Sequence, residues 1–381
     1  MTPFAITNPG RIVFGRGEAA KAPAFLRDYG PRGLIVHGAN PARLAGLLAD
    51  LGVGQDGIAT ITCAAEPSLP MLEEALTLAR AHAPDWVLGL GGGSVMDLAK
   101  ALAGLIPALG GPMDHLEVVG RGLPLTKAPL PFIAIPTTAG TGSEATKNAV
   151  ISLPDHGRKV SLRDDRMLAR LAIVDPALTD GTPWAVTLAS GLDAVTQVIE
   201  PFVSVKATPY TDAITAPAIG VGLAALQRLK QGEDPDARDA LAWVSLSGGL
   251  ALANAGLGAV HGLAGVIGGL CPAPHGAVCG ALLAPILRAN RDHAAPGTEA
   301  AWRLDMVFAT LAETLGGAAQ DAPETLAHWA KAAGLPGLTA MGFAPDWQEA
   351  TAKAALSASS TKGNPVMLGM DALLKALRDA A

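Results

Sequence analysis

Residues 86–100 read WVLGLGGGSVMDLAK, and that stretch decides the fold. An apolar run of strand length enters three glycines and a serine, and residues 95–106 then follow with helical spacing. Glycine lets a backbone turn sharply and approach a ligand, and the free N–H groups at a helix N-terminus favour an anion. Gly91, Gly92, Gly93 and Ser94 are therefore a candidate phosphate cradle. A glycine run is also an ordinary tight turn, and neither the GxGxxG fingerprint nor a Walker A loop is present.

Reading outward toward the N-terminus, residues 10–15 (GRIVFG), 34–37 (LIVH) and 58–62 (IATIT) are short strand-like runs. Helical patterns over 21–30, 41–51 and 71–83 separate them. In the other direction FIAI at 132–135 is a further strand, and AIVDP at 172–176 is the last strand and its stop. Strands alternating with helices predict an α/β layer built on a mostly parallel sheet. The strand at 132–135 runs into PTTAGTGSE, which places Thr137, Thr138, Thr141 and Ser143 at the same sheet edge as the glycine run. Hydroxyls and bare backbone N–H groups there suit pyrophosphate and ribose, although such a loop can also merely cap a helix. Two loops of this kind in one sheet favour a nucleotide site.

From residue 187 onward the pattern is helical, interrupted by one clearly polar linker at 230–238 (KQGEDPDAR). The domain boundary is expected near 180, with an α/β nucleotide-binding domain over 1–180 and an all-helical domain over 181–381. Half of the residues are hydrophobic, 16% are charged and 4% are aromatic, which gives ample core and excludes a disordered chain. The net charge of -6, without a long basic run, argues against nucleic acid and anionic membranes as partners. The three cysteines, Cys63, Cys271 and Cys279, form no CxxC and no disulfide framework, which fits a reducing, cytoplasmic setting. No basic segment followed by an apolar one marks a signal peptide near the N-terminus. Residues 240–287 lack any charged side chain, but their glycines, polar residues and the CPAP at 271–274 predict buried core helices and not a membrane span.

Within the helical half, residues 191–200 read GLDAVTQVIE. Asp193 and Gln197 stand four apart, on one face of a helix, either as two arms of a metal site or as a polar pair in a packed helix. His261 and His275 lie in the uncharged segment, where little else polar accounts for them. Grouped at a presumed interdomain cleft, such oxygen and nitrogen donors suit Fe²⁺, Zn²⁺, Co²⁺ or Ni²⁺.

Taken together, GGGSVMDLAK (91–100), PTTAGTGSEAT (136–146), VDPALT (174–179), GLDAVTQVIE (191–200), AVHGLAG (259–265) and PHGAVCGALL (274–283) resemble the iron-containing, group III alcohol dehydrogenases, with maleylacetate reductases as near relatives. The opening RIVFGRG fits as well, and KGNPVML (362–368) looks like a worn Asn-Pro segment of that family. The resemblance implies a dehydroquinate synthase-like architecture: a dinucleotide-binding α/β domain, a helical domain and a divalent metal, Fe²⁺ or Zn²⁺. NAD or NADP would lie across residues 91–94 and 137–143, with Ser94 and Asp97 lining the cofactor site and Lys159 near its ribose and nicotinamide half. Asp193, His261 and His275 match three metal ligands, and Gln197 stands where the fourth is usually a histidine. Gly265 stands where many relatives carry another histidine. The first βα turn, at His37 and Gly38, lacks the carboxylate common in NAD-preferring members, so a 2′-phosphate would meet no repulsion.

The expected activity is metal-assisted, reversible hydride transfer between an alcohol and an aldehyde or ketone, by a homodimer or larger homo-oligomer. A maleylacetate-reductase-like enzyme that needs no metal, and a non-catalytic nucleotide-binding protein, are the alternatives.

Overall fold

The computed structural model describes residues 3–51 and 57–381. Contacts divide these into two compact units. One comprises Thr7–Thr138 with Ser143–Thr179; the other comprises Asp180–Ala381 with Ala139–Gly142 and the described residues before Thr7.

The first unit is an α/β layer. Its strands β1 (Ile12–Phe14), β2 (Gly33–His37), β3 (Ile58–Thr62), β4 (Trp86–Gly91) and β5 (Phe132–Pro136) alternate with helices α1 (Ala22–Leu26), α2 (Pro41–Leu51), α3 (Leu69–His82), α4 (Gly93–Leu105) and the short α5 (Pro112–His115). An antiparallel hairpin, β6 (Asn148–Leu153) and β7 (Arg158–Arg163), precedes β8 (Leu171–Val174). Six strands form one parallel sheet in the order β1-β8-β5-β4-β2-β3.

Alternation along the central strands fills both faces of that sheet. Leu34, Val36, Val87, Phe132 and Ala134 point into one core with α3, α4 and the hairpin. Ile35, Trp86, Leu88, Leu90, Ile133 and Ile135 point into the other with α1 and α2. Burial on both sides is why these strands read as continuous apolar runs. The hairpin was not anticipated, and the helix expected over 21–30 is in fact α1 flanked by two 3₁₀ turns.

Chain direction across the sheet reverses between β2 and β4: β3 lies outside β2, and β5 lies outside β4. Open α/β sheets bind ligands at the carboxyl ends of strands around such a switch point. Gly91 is in register with Pro136, so the glycine run and the threonine loop leave adjacent strands side by side.

The second unit is helical: α6 (Trp184–Val203), α7 (Pro209–Gln231), α8 (Pro235–Ala255), α9 (Ala259–Leu270), α10 (His275–His293), α11 (Glu299–Leu315), α12 (Ala322–Ala332), α13 (Gln348–Ser357) and α14 (Met370–Asp379). From Gly191 to Val203 every residue of α6 is buried, as befits a helix surrounded by others. Arg238 donates to Thr187 Oγ1 at 2.8 Å and to the Thr182 carbonyl at 3.0 Å, which pins the start of α6. The uncharged stretch 240–287 becomes most of α8, all of α9 and most of α10. No single described helix is long and apolar enough to cross a membrane; α8 and α9 pass that test only as a pair bent by 99°.

One ion cluster ties α4 to the loop after β5. Lys100 is fully buried, and its Nζ donates to the Ser143 carbonyl at 2.7 Å and to the hydroxyls of Ser143 and Thr146 at 2.8 Å each. Asp97 Oδ1 lies 3.9 Å from the ammonium and accepts the Ser143 hydroxyl at 3.2 Å. Burial pushes Asp97 up to about 6 and Glu144 up to about 7, and lowers Lys100 to about 8. Both acids thus take up protons on folding, so the stability they lend at low pH is lost as pH climbs through their folded values. Lys100→Met strands both acids in the interior and is expected to cost about 3–5 kcal/mol. With the ammonium gone the acids rise further, so the variant should lose more stability between about pH 5 and about pH 8 than the unsubstituted protein does. Denaturant midpoints at the two pH values measure this; an equal loss in both proteins would show that Lys100 does not restrain the pair.

Candidate metal centre and nucleotide loops

Three helices of the second unit bring their polar groups to one point. Asp193 sits mid-way along α6, His261 is the third residue of α9, and His275 is the first of α10. His261 Nε2 lies 3.3 Å from Asp193 Oδ1, and the two imidazole centroids are 5.5 Å apart. A fourth group joins them. Cys279, one turn after His275 on α10, places its Sγ 3.6 Å from His275 Nε2 and 3.8 Å from His261 Nε2. Donor atoms of Asp193, His261, His275 and Cys279 all lie within 4.8 Å of one another.

Glu200 orients the cluster. It stands seven residues after Asp193, on the same face of α6. Its Oε2 is 2.6 Å from His261 Nδ1, and its Oε1 accepts the Val260 N–H at 2.8 Å. Engaging Nδ1 fixes the ring and leaves Nε2 turned toward Asp193 and Cys279. Asn364, in the worn Asn-Pro segment, accepts the Ala259 N–H at 3.1 Å and so caps the same helix. Close approach is needed here. A Cβ on Gly276 would sit 2.3 Å from the Ala189 carbonyl oxygen and 3.1 Å from Asp193 Cβ, so only glycine lets α10 reach α6. A Cβ on Gly258 would meet Glu200 Oε1 at 2.8 Å and Asn364 Oδ1 at 2.9 Å.

The electrostatics ask for positive charge. Burial works against ionising Asp193, yet the His261 hydrogen bond and the nearby imidazoles hold its carboxyl below the usual range. Burial likewise works against a charged His261, but Cys279 and Glu200 outweigh it and raise that imidazole well above its ordinary value. The Cys279 charge does most to push His275 up to about 9. The Cys279 thiol moves down, because the two imidazoles outweigh its burial. Protons on the imidazoles meet this demand in the bare protein; a divalent cation would meet it with all four donors deprotonated.

Gln197 lies next to this group, one turn after Asp193, and is 2% exposed. Its Nε2 donates to the Gly140 carbonyl at 3.2 Å, and its Oε1 has no hydrogen-bond partner. At Gly265 a Cβ would meet nothing within 4 Å. Cys279 and Glu200 escaped the sequence reading. The available signals were the four-residue spacing from His275 and the seven-residue spacing from Asp193.

In the α/β unit, Gly92 is the N-cap of α4, and no side chain caps that helix. Ser94 and Asp97 follow in its first turns. The Thr137 N–H donates to the Gly91 carbonyl at 2.9 Å, and a Cβ on Gly92 would lie 3.2 Å from Thr138 Oγ1. The structure thus gathers Gly91, Gly92, Gly93, Ser94, Asp97, Thr137, Thr138 and Ser143 at the ends of β4 and β5. Thr141 instead groups with the helical unit, where Ser245 Oγ accepts the flanking Gly140 and Gly142 N–H groups at 2.8 and 3.2 Å. Lys159, on β7, pairs with Glu66. Past β2, His37 Nδ1 lies 2.7 Å from the Gly38 carbonyl, and Asn40 Oδ1 accepts the Ala42 N–H at 3.0 Å.

Known proteins resemble this chain in sequence and fold. Residues 9–176 match the family model for iron-containing alcohol dehydrogenase, and residues 187–381 match that for the C-terminal region of the Fe-containing alcohol dehydrogenase family. An NAD-dependent methanol dehydrogenase of Bacillus methanolicus is 31% identical over the whole of both chains. Long-chain-alcohol dehydrogenase 1 of Geobacillus thermodenitrificans is 43% identical over 55% of this chain, an alignment that spans only 53% of that protein. The crystal structure of a 1,3-propanediol oxidoreductase superposes with a TM-score of 0.87 over the full length of both chains, at 26% identity. The chain therefore belongs to the iron-containing alcohol dehydrogenase family.

Proposed function

We propose that this protein is an alcohol dehydrogenase that exchanges a hydride between a small alcohol and NAD, with a divalent cation held by Asp193, His261 and His275. The observation that carries this reading is the buried convergence of those three side chains, with Glu200 engaging the far nitrogen of His261. One carboxylate and two imidazoles are a donor set suited to Fe²⁺ or Zn²⁺. A carboxylate behind a ligating histidine, as Glu200 stands here, is the usual outer support of such a site.

Bound there, the cation supplies Lewis acidity toward an alcohol oxygen, and nicotinamide supplies the hydride acceptor. The chain's own part is placement. Glu200 and the Asn364 cap hold the His261 ring before any cation arrives. The uncapped N-terminus of α4, beside a glycine whose missing Cβ leaves room at Thr138, suits a pyrophosphate. No carboxylate follows β2, so the same loops also admit NADP, and a comparison of kcat/KM with the two cofactors decides between them.

Stripping the protein with a chelator is expected to abolish alcohol-dependent NADH formation, and readdition of Fe²⁺ or Zn²⁺ to restore it. An undiminished rate in metal-free protein would sink the reading. Asp193→Ala should leave purified protein without stoichiometric metal by elemental analysis. Glu200→Gln keeps the shape and loses the charge behind His261; metal affinity by competition with a chromophoric chelator should weaken about 10–100-fold. Unchanged affinity would mean that Glu200 serves only the packing of α9.

A further inference from the structure

We propose that Cys279, and not Gln197, is the fourth donor to the cation, so that the ligand set is Asp193, His261, His275 and Cys279. This rests on the metal-assisted reading above and deepens it.

Two observations carry the inference. The first is distance. Donors on one cation, with metal–nitrogen bonds of about 2.0–2.1 Å and a metal–sulfur bond of about 2.3 Å, stand roughly 3.3–3.7 Å apart when their bonds make near-tetrahedral angles, and a fifth position is left to the substrate oxygen. The separations here are 3.3 Å from Asp193 Oδ1 to His261 Nε2, and 3.6 and 3.8 Å from Cys279 Sγ to the two imidazoles. The second is direction. Cys279 is one turn beyond His275 on the same face of α10, and helical side chains lean toward the helix N-terminus, so its sulfur is carried back to the level of His275. It is fully buried and contacts both imidazoles, whereas the other buried thiols, Cys63 and Cys271, donate to backbone carbonyls.

Gln197 is the competing candidate. Its Nε2 donates to the Gly140 carbonyl at 3.2 Å and so holds the 139–142 segment, while its Oε1 is buried without a hydrogen-bond partner. Cys279 is preferred because its sulfur stands at ligand spacing from both imidazoles, and the Gln197→Ala variant separates the two donors.

The chemistry follows from the swap. A thiolate in place of an amide oxygen makes the site softer and favours Zn²⁺ and Co²⁺ over Mg²⁺ or Mn²⁺. It also brings the two anionic ligands, Asp193 and Cys279, to a charge that balances a dication.

Cobalt tests this in the full-length protein, stripped with a chelator and reloaded with Co²⁺. Metal content, visible ligand-field bands and sulfur-to-cobalt charge-transfer absorption in the near ultraviolet are read together. The expected result is one cobalt per chain with charge-transfer absorption that persists in Gln197→Ala and disappears in Cys279→Ser. The serine variant should also bind cobalt at least about tenfold more weakly. Stoichiometric cobalt with ligand-field bands but no charge transfer in the unsubstituted protein overturns the thiolate ligand and leaves the metal reading standing. Charge transfer that survives Cys279→Ser also overturns it, because the sulfur would then be elsewhere. Failure to bind cobalt at all overturns both. The spectrum of the unsubstituted protein decides the matter even if the serine variant does not fold.

Discussion

Burying a carboxylate is expensive unless it is paired and hydrogen-bonded, and α6 buries two of them in an otherwise uncharged helix. Asp193 and Glu200 are both almost fully covered, and His261 stands between them with one ring nitrogen toward each. That bridge is the constraint around which the helical unit is arranged. It requires glycine at 258, the N-cap of α9, where a Cβ would collide with Glu200, and lets α10 start against α6, where only Gly276 fits. The small side chains that crowd this part of the sequence are the means by which three helices come near enough for polar atoms to meet.

The α/β unit is built on a parallel logic with a different charge. Lys100 is an ammonium sealed inside the unit, and it spends its protons on the carbonyl and hydroxyls of the loop after β5. The loop that carries Thr137, Thr138 and Ser143 is thereby tied to the same helix whose N-terminus opens beside Gly92. Asp97 and Ser143, which the sequence places among nucleotide contacts, are equally members of this internal network.

Much of this could be read in advance, and the reasons are physical. β2, β4 and β5 are buried on both faces, so they stand out as apolar runs of strand length. Asp193, His261 and His275 stand out because polar residues are scarce around them. The β6–β7 hairpin was hidden because its alternate residues are only partly covered, and its turn depends on Gly157 at a φ of 57° within a polar stretch. Glu200 was hidden in plain sight, at the end of the quoted decamer, since a carboxylate at the second turn beyond Asp193 looks the same whether it faces solvent or a histidine. Cys279 was hidden because a buried cysteine ordinarily behaves as a small hydrophobe. Its meeting with two imidazoles becomes visible only when α9 and α10 are placed in space.

The donors of the centre come from residues 193, 261, 275 and 279, on α6 and on the adjacent pair α9 and α10, with α7 and α8 lying between α6 and α9 in the chain. Closing the segment between Asp193 and His261 carries an entropic cost, and the packing of α7 and α8 within it offsets that cost. The contacts that hold His261, from Glu200 and Asn364, are protein to protein and stand without any ion. A cage held this way is expected to stand before the cation enters it, unlike small domains that are unfolded until metal arrives. The expected kinetic signature is a refolding rate indifferent to added metal, followed by a separate, metal-concentration-dependent gain of resistance to unfolding.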